Sequence, residues 1–265
     1  MGRWPAAVWE WWSVTRHDPQ QARFLTRDSL RWVLRHRALT PWYLVRYWRL
    51  LRLRVTQPNL VLRGMVFLGR DAEVHCRPGY GRLELGAFTH IGDGTSIRCH
   101  EGSVRIGDKV VFGGSTVVNC YLDVEIGAAC LVADCVYIVD FDHRTTDLEL
   151  PIKDQGIVKS PVRIGPGTWV GAKVTVLRGA QVGRGCVLGA NAVVRGRVPD
   201  YGVAVGSPAR VVRNRRDDYA AAEQERAAVA DIARKTEAAV ARRLRGGTPC
   251  APEPPPAGES TRSGR

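Results

Sequence analysis

From Leu85 onward an aliphatic residue recurs every six positions, as in Leu85, Ile91 and Ile97, and glycine commonly follows it, as in Ile91-Gly92. The phase restarts at Ile106-Gly107 with Phe112-Gly113 and Val118, and again at Ile126-Gly127 with Val132-Ala133 and Ile138. After a gap it runs through Ile164-Gly165, Val170-Gly171, Val176, Val182-Gly183, Leu188-Gly189 and Val194. A period of six fits neither the 3.6 of an α-helix nor the 2 of a strand. It predicts a solenoid of short strands, in which each aliphatic residue points inward and a small residue turns the corner. Three units close one triangular coil, so that Ile164 and Val182 occupy equivalent places in successive coils. Parallel stacking puts successive coils about 4.8 Å apart and shares one core among neighbours.

The flanks lack this period. Residues 1–60 hold seven of the eight tryptophans, at 4, 9, 11, 12, 32, 42 and 48. Within them PWYLVRYWRLLRLRV (41–55) predicts a helix, with Thr40 as N-cap and Pro41 in the first turn. It mixes aromatic and aliphatic side chains with Arg46, Arg49, Arg52 and Arg54. Two uses fit it. The aromatic face packs on the β-helix or on a neighbouring subunit, or the helix makes a peripheral contact with an anionic membrane. At the other end, Ala, Glu and Arg predict a solvated helix over 216–245, and the stretch from 246 to 265, with PEPPP, predicts disorder. The division is then a helical arm (1–60), a β-helix domain (61–215), a C-terminal helix and a tail.

Composition changes this picture little. A formal charge of +13 over 265 residues suits a polyanionic partner, and charge alone does not choose among nucleic acid, lipid and a small molecule. No nucleic-acid motif accompanies it. Seven cysteines without a CxxC pair read as small buried hydrophobes of a reduced, cytoplasmic protein. Glu10 and Arg16 interrupt the early apolar residues before a signal sequence forms, and no run approaches the ~20 apolar residues of a spanning helix. The expectation is a cytoplasmic protein, or one at the inner face of the membrane.

The coil Ile126–His143 is complete, and the repeat then stops from 144 to 163. One long loop on a rigid scaffold is where a binding site is expected, and His143 stands at its base. An imidazole can take a hydroxyl proton near neutrality. Asp123, about one coil earlier, and the flanking Asp140 and Asp142 are candidates to orient it, while Asp142 and, in the loop, Lys153 and Asp154 are placed to touch a substrate.

The chain resembles the left-handed β-helix acyltransferases, within them the maltose, galactoside and nodulation-factor O-acetyltransferase type. The resemblance covers about 61–215. It is most specific over IGPGTWVGAKVTVLRGAQVGRGCVLGANAVVRGRVPDYGVAVGSPARVVR (164–213), where Gly206 to Arg210 match the closing signature G-x-P-[AC]-[RK]. It implies a mainly β, left-handed parallel β-helix, a homotrimer, and acyl-CoA (acetyl-CoA foremost) as co-substrate without a metal. His143 matches the family's catalytic base and Asn119 its acceptor ligand. Trp169, Gly171 and Ala172 match the stretch along the pantetheine arm, with the Ala172 amide as oxyanion donor and the Ala190 amide on the same arm. Arg210 and Arg213 are then placed for coenzyme A phosphates, which suit arginine's forked donors. Two departures stand out. Arg195-Gly196-Arg197 replaces the family's T-K-D, leaving Arg195 as the phosphate contact, and alanine occupies position 172 where serine is common.

The implied activity is transfer of an acyl group to a sugar or glycan hydroxyl, with serine or an antibiotic as alternative acceptors. A zinc-dependent carbonic anhydrase of the same fold requires three histidines, and His143 has no such partners in its coil. A non-catalytic β-helical scaffold or binding protein would lack both the loop-base histidine and the closing signature.

Overall fold

The inward aliphatic residues form three columns, one for each wall of a parallel β-helix. In the computed structural model, which describes residues 27–57 and 60–246, Leu62, Leu85, Ile106, Ile126, Ile164, Val182 and Val198 stack in register on the first sheet. Leu68, Ile91, Phe112, Val132, Val170, Leu188 and Ala204 do so on the second. Val74, Ile97, Val118, Ile138, Val176 and Val194 line the third. The sheets have seven, eight and six strands; the chain visits the three walls in turn, and the last strand, Arg210–Asn214, returns antiparallel beside Gly202–Val205 on the second. The expectations for the early tryptophans, Cys250 and a disordered tail past residue 246 lie outside the described residues.

Coil length is not uniform. The step from Ile164 to its partner Val182 is three strict units. The step from Leu85 to Ile106 is longer, and that from Val182 to Val198 is shorter. The longer coils place their extra residues at the edge between the third and first sheets, at His100-Glu101 and Tyr121-Leu122, so the core columns keep their register.

Corners are sealed from coil to coil. The amides of Arg70, Ala87, Gly114 and Arg184 donate to Asp93, Asp108, Asp134 and Asp200 one coil later. Buried Thr89, Thr95 and Thr116 donate their hydroxyls to carbonyls of the next coil. Each of these buried polar groups thereby keeps a partner, which spares the cost of desolvating it alone. Gly171 is required for packing: a Cβ there would lie 2.7 Å from the Leu188 carbonyl oxygen and 2.8 Å from the Ala190 nitrogen. Cys76, Cys99, Cys120, Cys130 and Cys186 are free thiols and buried, and Cys135 is free and exposed.

Helix α1 (Arg27–Arg35) and helix α2 (Pro41–Thr56) precede the first coil. Thr40 is the N-cap of α2 by position, without a side-chain cap bond, and its carbonyl accepts from the amides of Tyr43 and Leu44. Leu50 and Leu53 enter the main core, while Tyr43 and Tyr47 pack with Val33 on Met65, Phe67, Ala87 and Phe88. The leucines of the arm therefore join this end of the core and its tyrosines cover the outer side of the second sheet, whereas Trp42 and Trp48 stay exposed. The chain's second unit begins at Asp218; its helix belongs to α3 (Arg215–Gly246), whose described side chains past Asp217 are almost all exposed.

His90 stacks on Phe67 at 4.5 Å between ring centroids. Burial, and then the charge of Arg46, hold its imidazole below the usual value. The folded chain thus resists a proton that the unfolded chain accepts. Its stability should be complete above the ordinary imidazole pKa of about 6.5, decline as pH falls through it, and stop declining below the depressed folded-state value. Thermal melts over that range should show a shallower acid slope for His90→Gln; an unchanged slope would assign the pH dependence elsewhere.

Candidate active site

The longest interruption of the coils is an antiparallel hairpin. Strand Phe141–His143 pairs with Ile157–Lys159, with His143 opposite Ile157, and a short 3-10 turn (Ile152–Asp154) lies in the connecting loop. The hairpin leaves the β-helix at the edge between the third and first sheets. His143 is exposed, and among the described residues its one ring neighbour is Phe141, at 6.4 Å.

Several contacts pin the hairpin to the wall. His100, Tyr121 and Phe141, from successive coils, form an aromatic row with centroids 4.7 and 4.6 Å apart. Lys159 of the returning strand donates to Glu101 at 2.6 Å, an ion pair that lowers the Glu101 carboxyl pKa, and stands over the Tyr121 ring. On the other side Arg178 pairs with Asp142. Sequence reasoning missed Glu101, Tyr121, Phe141, Lys159 and Arg178; their common signal is position, since all lie at the edge where coil lengths vary.

The expected orienting carboxylates are employed elsewhere. Asp140 is fully buried, and its two oxygens accept the amides of Tyr121, Leu122 and Asp123 at 2.9, 2.7 and 2.7 Å. Asp123 joins a charge cluster on the outer side of the first sheet, paired with Arg105 and Arg163 beside Glu125. Neither carboxylate contacts His143, and Asp142 faces Arg178. Asn119 points outward from the third sheet, in register with Val139; its Nδ2 lies 3.5 Å from the Tyr137 hydroxyl, and its buried Oδ1 has no partner among the described residues. Lys153 and Asp154 pair with each other at 2.7 Å in the loop.

The residues matched to the donor follow a different edge, between the second and third sheets. Here the aspartate that seals earlier corners is missing: the position one coil beyond Ala172 is Ala190. The amides of Ala172 and Ala190 consequently have no acceptor among the described residues. Trp169, half exposed, stands on the outer side of the second sheet between Leu131 and Val187. The Ala209 amide donates to the Val193 carbonyl, which sets the exposed Arg210 at this same edge. Arg213 belongs to the final antiparallel strand, opposite Val203, and Arg195 is exposed at the other end of the Val193–Val194 strand.

These features define a left-handed β-helix transferase fold with a histidine-bearing hairpin. The model for bacterial transferase hexapeptides (six repeats) matches residues 161–196. The chain is 58% identical over 240 residues to the "Probable acetyltransferase Rv3034c" of Mycobacterium tuberculosis (strain ATCC 25618 / H37Rv), covering 89% of this chain and 80% of that one. It belongs to the hexapeptide-repeat acetyltransferase family and is an acyltransferase. It is also 35% identical over 117 residues to the "Putative lipopolysaccharide biosynthesis O-acetyl transferase WbbJ" of Escherichia coli (strain K12), covering 39% of this chain and 60% of that one. Among solved structures its fold is like that of AntD, an N-acyltransferase from Bacillus cereus in complex with dTDP and 3-hydroxybutyryl-CoA, with TM-score 0.51, 16% identity, and 68% and 96% of the two chains covered.

If Asp140 organises the corner beneath the hairpin, Asp140→Ala strands three amide donors and should cost about 3 kcal/mol of stability. Denaturant melts measure this; a loss under about 0.5 kcal/mol, the size of a neutral surface change, would deny it that role.

Proposed function

We propose that the chain transfers an acyl group, acetyl foremost, from acyl-CoA to a hydroxyl of a sugar or glycan, with His143 as general base. His143 takes the hydroxyl proton as the acceptor oxygen attacks the thioester carbonyl. The Ala172 amide steadies the oxyanion, the carbon–sulfur bond breaks, and the imidazolium returns its proton to the departing thiolate. The observation that carries this reading is the pair of open amides, Ala172 and Ala190, on one edge of the third sheet, with the pinned histidine hairpin at the other. A thin pantetheine chain laid along the first edge reaches Arg210, whose guanidinium suits a phosphate. The acyl-CoA bound by AntD and the lipopolysaccharide named for WbbJ support the donor and acceptor classes.

Within one chain the base and the amides stand at opposite ends of a sheet, so the complete site needs a second subunit. We therefore read the molecule as a homotrimer. Val111, Leu131 and Trp169, stacked in register and exposed on the outside of the second sheet, support a subunit contact there. We place the reaction in the cytoplasm, where acyl-CoA is available. Asn119 and the loop residues Lys153 and Asp154 are the acceptor's nearest polar surroundings on this reading.

Thiol release from acyl-CoA in the presence of glycosides tests it. His143→Ala should lower turnover by about a hundred- to ten-thousand-fold while melting stays at the parent value. Ala172→Pro, which deletes the amide, should be similarly inactive, and trimers mixed from the two variants should regain part of the activity. Near-parent turnover in His143→Ala would overturn the base assignment, and mixed trimers without recovery would overturn the shared site.

A further inference from the structure

Helix α2 carries two apolar stripes. One, with Tyr43, Tyr47, Leu50 and Leu53, faces the β-helix. The other, Leu44, Trp48, Leu51 and Val55, recurs at i, i+4, i+7 and i+11, which places all four on one line of the helix. That second stripe is in solvent: Trp48 is 66% and Val55 72% exposed, and Leu44 and Leu51 are each about half exposed. Leu30 and Leu34 of α1, also i and i+4, are exposed too, as is Leu39 in the link. An apolar surface of this extent on a water-facing helix calls for an occupant.

Charge selects the occupant. No aspartate or glutamate lies between Asp28 and Asp71, and that interval holds nine arginines. A second copy of the arm would set like charge against like across the contact. An anionic bilayer offers hydrocarbon for the stripe and phosphate for the guanidinium groups, the two terms that hold interfacial helices. At the shoulder of the stripe, Arg49, Arg52 and Arg70 line a cavity of about 480 Å³ between α2 and the first coil. Its two acidic groups are already engaged: Glu73 accepts from Arg98 and Ser96, and Asp71 lies 3.8 Å from Arg70. His75 completes the titratable lining, and Arg49 donates to the Leu68 carbonyl.

We infer that α2 docks on anionic phospholipid bilayers, with Leu44, Trp48, Leu51 and Val55 at the acyl boundary and Arg49 and Arg52 on lipid phosphates. The inference is independent of the acyl-transfer reading, since neither the stripe nor the arginines belong to the candidate active site.

Sedimentation of the full chain with phosphatidylcholine vesicles, with and without phosphatidylglycerol, tests it. Binding should require phosphatidylglycerol and weaken with salt. It should fall about tenfold or more in Trp48→Ser/Leu51→Ser and in Arg49→Gln/Arg52→Gln. Melting of the first variant should match the parent, because its side chains lie outside the core. Absence of binding to phosphatidylglycerol vesicles would overturn the inference. So would binding indifferent to the stripe variant, which would leave charge alone as the cause, or a stripe variant that instead breaks the oligomer, which would make the stripe a contact between copies.

Discussion

In-register stacking of one inward aliphatic residue per wall per coil is the constraint on which the rest of this molecule depends. Each coil is too small to bury its own apolar side chains and does so only against its neighbours. The walls cannot shift by a single position without turning Ile106, Ile126 and Ile164 outward together. Variation is therefore confined to corners, where backbone can bulge into water without disturbing a column.

The candidate site follows from how the three corners differ. Where an aspartate reaches back to seal the preceding coil, as Asp93, Asp108, Asp134 and Asp200 do, the corner is inert. At Ala172 and Ala190 the aspartate is replaced by a small residue, and amide donors remain for something else. At the edge that tolerates insertions, the chain puts out a hairpin, then fastens it with Glu101–Lys159 and Arg178–Asp142 on either side. A histidine on a pinned strand stays near one geometry, which the proposed proton transfer requires. Exposed ion pairs contribute little energy singly, so the aromatic row from His100 to Phe141 and the buried Asp140 carry more of that fastening.

The period of six made the walls readable in the sequence, because each inward position obeys one rule of chemistry: aliphatic, then small. The interruption at 144–163 likewise marked the hairpin, and its boundaries bracket Ile157–Lys159, a strand with no six-residue signal because it pairs antiparallel outside the coils. Contacts between coils were harder to read. Asp140 flanks His143 in sequence, yet its carboxylate is spent on the corner at 121–123. Asp123 stands about one coil before the histidine, a spacing that misplaces partners where a corner carries an insertion, and it lies instead among Arg105, Arg163 and Glu125. The arm resolved differently. Packing and membrane contact were alternatives for one helix; the tyrosines of α2 pack inward, and the exposed stripe with Trp48 is the one the proposed membrane contact uses.

On the proposed reading, donor and base meet between two edges that belong to different subunits. A structure of the protein with coenzyme A tests this most directly. The pantetheine arm is expected along the edge of Ala172 and Ala190, with phosphates toward Arg210 and the thiol beside His143 of an adjacent subunit. Coenzyme A bound along another wall, or with its thiol remote from every His143, would contradict it.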